Sequence, residues 1–328
     1  MESRRKQEGD LNRQADEIEQ VLSSLALPVK IQGGHLGEDW VRYQLAPMPQ
    51  VSEARIRQVA EGVAKAMGVT KVEVTESEGG VALEFPLQLK DGIQLLPLLQ
   101  RYRHTAALHA ILGLVGAQKL FTINFRDPAS WHFLTNGPPG SGKSEMLRTL
   151  ILSLAAFSRQ SQLKFLGIDL GGRDLMVMEA LPHGLAEVAV DYAYAVEILN
   201  WLEDEIERRE AYQIKYPEIV LVVDDAERLL EQSADFNASL QIILQHGRNA
   251  GIHLFLASEQ PLPVDGNGVV TAMARTQENL PGDFMFEIDG AQQIVKVAWL
   301  PVHELRDAVY LVREGWRNPT SKAMRWSY

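Results

Sequence analysis

The stretch FLTNGPPGSGKSEMLRTLILSLAAF, residues 133–157, decides the fold. A short apolar run is followed by a loop of glycines and prolines, then by a lysine and a segment with apolar residues at helical spacing. The eight residues GPPGSGKS match the pattern G-x-x-x-x-G-K-[ST], and they lie between a strand and a helix as that pattern requires. The sequence therefore predicts a phosphate-binding loop at residues 137–144.

The residue types of this loop suit the chemistry of phosphate binding. Glycines let main-chain N–H groups approach a phosphate closely and allow positive φ angles, and the N-terminus of the following helix adds unpaired donors and partial positive charge. Lys143 is expected to reach the β and γ phosphates, and the Ser144 hydroxyl to bind Mg²⁺. The alternatives are a glycine-rich turn without a ligand and a loop that binds nucleotide without hydrolysing it. The expected nucleotide contacts are Gly137, Pro138, Pro139, Gly140, Ser141, Gly142, Lys143, Ser144 and Glu145.

Two adjacent acids follow a second apolar run. The segment IVLVVDDAERLL, residues 219–230, is typical of a buried strand that ends in Asp224 and Asp225. Ligands of open α/β sheets lie at the carboxyl ends of the strands, so both acids are expected beside the phosphate loop. Asp224 would hold Mg²⁺, directly or through water, and Asp225 would face the attacking water as a base or orienting group. The alternative is a pair of helix N-capping acids.

Strands and helices alternate through most of the chain. LKFLGID, IVLVVDD and IHLFLAS are apolar runs without alternation, which indicates parallel strands covered on both faces, and helical segments lie between them. The fold class is therefore α/β with a mainly parallel sheet, preceded by a small α+β domain. The predicted divisions are a polar tail at 1–10, the small domain with its connector at 11–104, the α/β domain at 105–316 and a C-terminal tail at 317–328.

Composition limits the possible partners. The net charge is −11 and there is no cysteine, so any contact with nucleic acid has to be local, and disulfides or thiolate metal sites are excluded. No stretch reaches about 18 consecutive apolar residues, and the first residues lack the pattern of a secretory signal. The chain is expected to be cytoplasmic, or to be the soluble part of a longer protein.

Two further segments have competing interpretations. The segment EILNWLEDEIERREAYQIK places acids and arginines four residues apart, for example Glu205 and Arg209, which predicts a solvated helix face stabilised by a few tenths of a kcal/mol per pair; a partner surface is the alternative. Gly171-Gly172-Arg173 would be either a second loop beside the phosphates or facing a pore, or an ordinary strand-to-helix turn.

Taken together, these segments resemble the FtsK/SpoIIIE family of DNA translocases, a branch of the RecA-like P-loop ATPases. The resemblance covers most of the chain and is carried by WHFLTNGPPGSGKSEMLRTLILSL and HGRNAGIHLFLASEQP. It implies a ring, usually hexameric, with ATP between subunits and double-stranded DNA through the centre. It also implies that Arg248 acts on a neighbouring subunit's ATP as an arginine finger. The alternative for Arg248 is a cation that stabilises the C-terminal end of its helix.

The chain departs from the family pattern at positions expected to be catalytic. The family's Asp-Glu pair is Asp224-Asp225 here, so the second carboxylate is shorter by one methylene. The glutamine expected to sense the γ-phosphate is replaced by Glu259, and a family arginine by Gln260. These changes predict slow turnover relative to the family. They leave open two alternative functions, a nucleotide-binding scaffold or regulatory subunit with weak hydrolysis, and a motor for protein substrates of the secretion type.

Overall fold

The computed structural model divides the chain into two compact units. The first comprises residues 1–89 with 116–119, and the second comprises residues 90–115 with 120–328. The connector that the sequence analysis attached to the small domain therefore lies mostly in the second unit. The predicted C-terminal tail lies, apart from Arg317, outside the described residues. The structure describes residues 2–37, 40–46, 53–67, 69, 72–77, 80–86, 92–102, 105–116, 119–172, 174–232, 234–262, 268–275 and 282–317.

The first unit is a small α+β fold. Its elements are α1 (Glu2–Ser24), β1 (Ile31–Leu36), β2 (Trp40–Leu45), α2 (Glu53–Ala66), β3 (Glu73–Ser77) and β4 (Gly80–Pro86). The strands form an antiparallel sheet in the order β1-β2-β4-β3. Helix α1 begins at Glu2, so residues 2–10, predicted as a polar tail, are helical. Apolar side chains spaced along both helices, among them Ile18, Leu22 and Val63, share one core with Leu83 and Phe85 of β4.

The second unit is built on a ten-stranded sheet. Nine strands follow one another in the order β7-β6-β14-β13-β12-β8-β11-β10-β9, and β5 pairs with β14. Its strands are β5 (Ile93–Gln94), β6 (His109–Val115), β7 (Lys119–Asn124), β8 (His132–Asn136), β9 (Leu163–Asp169), β10 (Glu218–Asp224), β11 (Ile252–Ser258), β12 (Val269–Ala274), β13 (Asp283–Ile288) and β14 (Ala291–Trp299).

Within the described residues, seven α-helices accompany these strands. The bounds of the helices are α3 (Leu95–Arg101), α4 (Lys143–Phe157), α5 (Val177–Ala180), α6 (Tyr192–Tyr212), α7 (Ala226–Gln232), α8 (Ala234–Ala250) and α9 (Leu305–Arg317). Helices α4, α6 and α8 lie in segments that the sequence predicted to be helical. No helix in the described parts of the chain has both the length and the apolarity needed to cross a lipid bilayer.

Half of the sheet has the predicted parallel arrangement. Strands β12, β8, β11, β10 and β9 are parallel neighbours, and every residue of β10 and β11 is buried. This burial on both faces explains why these strands are continuous apolar runs. Beyond β12 the sheet continues through β13, β14 and β6 in antiparallel pairs. The sequence patterns described above did not predict the antiparallel pairing of β12, β13 and β14.

Two of the buried histidines lie in or beside the parallel strands: His132 begins β8, and His183 pairs through its carbonyl oxygen with the N–H of Phe165 in β9. The Nδ1 atom of His132 accepts the N–H of Leu254 at 3.1 Å. The Nε2 atom of His183 lies 2.7 Å from the Ser158 carbonyl oxygen, and its Nδ1 has no hydrogen-bond partner among the described residues. Burial lowers the pKa of His132 to about 3 and that of His183 to about 4. Both rings are therefore neutral in the folded chain at physiological pH.

We predict that this neutrality makes the folded chain sensitive to acid. Histidines of the unfolded chain protonate near pH 6.5, whereas the two buried rings stay neutral in the folded chain at that pH. The folded state therefore has its full stability, as far as these histidines are concerned, above pH 6.5. It loses stability as the pH falls toward 4. Within that pH range, each buried histidine lowers the free energy of unfolding by up to about 1.4 kcal/mol per pH unit. Urea unfolding at pH 7.5, 6.5 and 5.5 should show a shallower pH slope for His183→Gln, which cannot protonate.

The exposed His303, whose side chain is 81% accessible, gives the matched control. His303→Gln should keep the wild-type slope. Equal slopes for His183→Gln and the wild-type chain would contradict the assignment of a depressed pKa to His183.

Candidate nucleotide-binding site

The carboxyl ends of four parallel strands meet at one edge of the sheet. Asn136 at the end of β8 pairs with Ser258 at the end of β11, and Asp224 at the end of β10 pairs with Asp169 at the end of β9. The GPPGSGKS loop follows β8 directly. The strand register therefore brings the loop and the acid of β10 to the same edge, as the sequence predicts.

The loop takes a backbone shape that needs glycine at two positions. Gly140 has φ 75° and Gly142, which caps helix α4, has φ 98°. Both values lie in the left-handed region, which other residues adopt at a cost. A side chain at Gly140 would meet no atom within 4 Å, so the loop is open to a ligand on this side. The N-terminus of α4 follows immediately and directs its unpaired N–H groups to the same place.

The Lys143 side chain binds main-chain carbonyl oxygens of its own loop. Its Nζ donates hydrogen bonds to the carbonyl oxygens of Gly137 at 2.7 Å and Pro138 at 3.2 Å. The side chain is only 7% exposed, while Pro138, Pro139 and Gly140 are exposed. A buried ammonium needs acceptors, and phosphate oxygens are stronger acceptors than carbonyls for such a cation. The lysine is thus placed to exchange its carbonyl partners for phosphate.

The Ser144 hydroxyl donates a hydrogen bond to the Asp224 carboxylate, and Asp224 is 3% exposed. Burial raises the pKa of Asp224 from 3.8 to about 6, and this effect is opposed by the hydrogen bond from Ser144 and reinforced by the negative charges of Asp225, Asp174 and Asp169. The two side chains predicted as metal ligands are therefore in contact. Their site carries an excess of negative charge, which a divalent cation would neutralise.

Asp225 stands at an unusual backbone position. Its φ is 52°, a left-handed value that Asp tolerates better than most residues. Its N–H donates to Asp224 Oδ1 at 3.1 Å, and its Oδ2 lies 3.6 Å from Nε of Arg228. The side chain is 35% exposed, so it lies next to Asp224 and reaches solvent. A carboxylate at this position can act on a water molecule in the site.

The Glu145 carboxylate is held by two contacts within the protein. Its Oε1 accepts the N–H of Leu300 at 3.0 Å, and its Oε2 pairs with Nη2 of Arg148 at 2.5 Å. The carboxylate thus ties the first turn of α4 to the chain after β14. Both carboxylate oxygens already have protein partners, and the assignment of Glu145 as a nucleotide contact stays a prediction.

Arg248 and Glu259 lie at opposite edges of the sheet. Helix α8 carries Arg248 in its last turn and leads into the start of β11, so this exposed arginine lies at the edge away from the loop. Glu259 follows the end of β11, on the loop side, and its N–H donates to Glu227 Oε1 at 2.9 Å. One chain therefore brings the loop, Asp224, Asp225 and Glu259 to the same edge, and does not bring Arg248 there.

Asp169 is a buried acid at the loop-side end of β9 that was not predicted from the sequence. It is 2% exposed, and it stabilises the turn after β9, so Gly171 and Gly172 belong to a capped turn; Arg173 lies outside the described residues. The available signal was an acid that ends a buried strand and precedes two glycines. Its carboxylate oxygens accept, at 2.7–3.1 Å, the backbone N–H groups of Gly171, Gly172, Asp174 and Leu175.

Comparisons with solved structures relate the fold to P-loop ATPases. The ATPases 2 and 3 of Thermomonospora curvata EccC, in complex with a signal sequence peptide, are 23% identical with a TM-score of 0.56, covering 67% of this chain and 50% of that one. The pCW3 conjugation coupling protein TcpA, a monomer with ATPγS, is 15% identical with a TM-score of 0.54, covering 91% and 99%. At these identities the likeness concerns the fold alone.

Sequence comparisons identify the family. Proteins named DNA translocase FtsK from Sporosarcina ureae and Caulobacter vibrioides are both 26% identical, over 84% and 85% of this chain. The chain spans only 39% and 40% of the length of these relatives. Residues 1–87 match the FtsK alpha domain, and residues 100–215, which include the phosphate loop, match the FtsK/SpoIIIE family. The chain accordingly belongs to the FtsK/SpoIIIE family.

Proposed function

We propose that this chain is the motor portion of an ATP-driven DNA translocase that assembles as a ring, hydrolyses ATP with Mg²⁺ and acts on double-stranded DNA. The observation that carries the proposal is the contact between the Ser144 hydroxyl and the buried Asp224 carboxylate beside an open phosphate loop. Family membership supports DNA as the substrate and a ring, for which a hexamer is the expected form.

The residues present fit a magnesium nucleotide. Mg²⁺ is held in nucleotide sites by one or two protein oxygens together with substrate phosphates, and Ser144 and Asp224 provide such oxygens. The Ser141 hydroxyl oxygen is buried in the loop without a hydrogen-bond partner among the described residues, so a phosphate oxygen would satisfy it. When bound, the metal would neutralise charge on the phosphate oxygens.

The side chains around this site divide the work of hydrolysis. Lys143 grips the phosphates, and Asp225 accepts a proton from, or orients, the attacking water. Glu259 occupies the γ-phosphate side of the site, where its negative charge opposes the phosphate. Arg248, held away from its own loop, would stabilise the charge that develops on the phosphate of a neighbouring subunit.

We predict that duplex DNA stimulates ATP turnover, slowly compared with the family, and that Lys143→Ala lowers the turnover number at least about 100-fold. The lysine supplies the charge that balances the phosphates in the transition state, and removing one such donor costs about that factor. Initial rates of phosphate release, measured with and without duplex DNA, test this.

The matched control is Lys65→Ala on helix α2, an exposed lysine of the other unit. It should keep the wild-type rate. Nucleotide binding without turnover would favour the scaffold alternative, and turnover that ignores DNA would favour a motor for protein substrates. Fast turnover would contradict the weakening attributed to Asp225 and Glu259.

A second prediction concerns the stability of the metal-free protein. The pKa of Asp224 is raised to about 6 in the folded chain. Its ionisation therefore lowers the free energy of unfolding progressively as the pH rises from about 4 to 6, and above pH 6 the full loss has been reached. The shift from 3.8 to about 6 corresponds to about 3 kcal/mol. Asp224→Asn should therefore be more stable than the wild-type chain by up to about 3 kcal/mol at pH 7.5 without metal, and urea unfolding measures this.

The gain should shrink as the pH falls below 6, and the variant should lose the extra stability that Mg²⁺-ATP confers on the wild-type chain. Asp204→Asn, on the exposed side of α6, should leave stability within about 0.5 kcal/mol. An Asp224→Asn variant less stable than wild type at pH 7.5 would contradict the charge excess described at this site.

A further inference from the structure

Helix α6 contains a buried arginine that the sequence analysis placed on a solvated face. Arg209 is 3% exposed, and the side chain of its partner Glu205 is 10% exposed. Nε of Arg209 donates to Glu205 Oε1 at 2.7 Å. The earlier interpretation of a weak surface pair is therefore wrong. A buried guanidinium needs several acceptors, and apart from Glu205 the acceptors of Arg209 belong to neighbouring elements.

The other donors of Arg209 hold the end of helix α8. Its Nη1 donates to the carbonyl oxygen of Ala250 at 3.0 Å and to that of Pro217 at 2.9 Å. Ala250 is the last residue of α8, where carbonyls lack helical partners and a cation is favoured. One guanidinium thus binds the final turn of α8 to the segment that leads into β10.

The backbone beyond α8 leaves little room for adjustment. Gly251 has φ 69°, and a side-chain carbon there would lie 2.2 Å from the carbonyl oxygen of Lys215. The N–H of Ile219 donates to the Gly251 carbonyl oxygen at 2.9 Å. The end of α8 is consequently fixed against the start of β10 by close backbone contact as well as by Arg209.

A second tie joins the same two helices one turn earlier. Nδ1 of His246 lies 3.2 Å from Glu210 Oε1. Residues 246 and 250 are four apart, so they share one face of α8, and this face is directed toward α6. We call these two contacts, Arg209 to the Ala250 carbonyl and Glu210 to His246, the α6–α8 clasp.

Arg248 lies midway between the two contacts of the clasp. At 100° per residue it is turned about 200° from both residue 246 and residue 250, and it is exposed. The clasp therefore fixes α8 from one side, while Arg248 projects from the other side. A long side chain acts at a defined point only when its backbone is fixed, and the clasp fixes this turn of the helix.

We propose that the α6–α8 clasp is a positioning device for Arg248, so that Arg209 acts on ATP hydrolysis through the neighbouring subunit's site. This rests on the proposed function, in which Arg248 serves a neighbour. If Arg209 had a purely structural role, its replacement would lower the activity of the ring whether the altered subunit supplied the phosphate loop or supplied Arg248.

Mixed rings separate these possibilities. A Lys143→Ala subunit has a disabled loop and an intact Arg248, so it is a donor; an Arg248→Ala subunit is the acceptor. Neither is expected to be active alone, and mixing them should restore DNA-stimulated ATP turnover. Arg209→Met is then placed in the donor in one mixture and in the acceptor in another.

In the donor, Arg209→Met should lower the restored rate by about 10-fold or more, because misplacing a catalytic group by about 1 Å can cost up to about 100-fold. In the acceptor it should change the rate by less than about 2-fold, since that subunit supplies only its loop. The matched control is Arg208→Met. Arg208 pairs with the same Glu205 carboxylate, and its side chain is 50% exposed, so this variant should leave both mixtures unchanged.

His246→Ala provides a second route if Arg209→Met fails to fold. The His246 side chain is 48% exposed, and its loss removes the other contact of the clasp without burying a charge. It should lower the donor rate several-fold and spare the acceptor. Equal losses in donor and acceptor, or no loss in either, would overturn the positioning role. Failure of the unmodified donor and acceptor to restore activity would overturn the action of Arg248 in a neighbour, and with it this inference.

Discussion

The candidate site depends on one contact, that of the Ser144 hydroxyl with the buried carboxylate of Asp224. An acid that is 3% exposed and surrounded by other acids is expensive to ionise. The parallel strands bring it to the same edge as the phosphate loop, and the glycines of the loop let helix α4 start close enough for Ser144 to reach it. This arrangement lowers the stability of the metal-free fold and favours a cation, which is typical of functional sites.

The sequence predicted the parts of the fold whose signals are local. Strands β9, β10 and β11 are continuous apolar runs because both of their faces are buried. Strand β12 alternates between buried and exposed residues, and the sequence patterns described above did not identify it. Its parallel pairing with β8, and the antiparallel turn into β13, depend on tertiary contacts that single-sequence patterns do not carry.

The same division applies to the candidate site. Lys143, Ser144 and Asp224 were predictable because each belongs to a short sequence motif, and the adjacent residues of that motif indicate its chemistry. The contact of the Glu145 carboxylate with the Leu300 N–H was not predictable, because Leu300 lies 155 residues away along the chain. The burial of Arg209 was missed for a related reason, since charges four residues apart on a helix have the same pattern whether the face meets water or another helix.

The placement of the charged residues at two opposite edges of the sheet points to an assembly of more than one chain. The acids and the lysine of the site gather at the carboxyl edge of the parallel strands, whereas Arg248 leaves the last turn of α8 at the amino edge. A rigid α/β layer separates them, so no side-chain rotation can join them within one molecule. If Arg248 serves a nucleotide, that nucleotide belongs to another copy, and the contact joins two different surfaces. Interfaces of this kind repeat head to tail, and they close into a ring when the rotation between copies allows it.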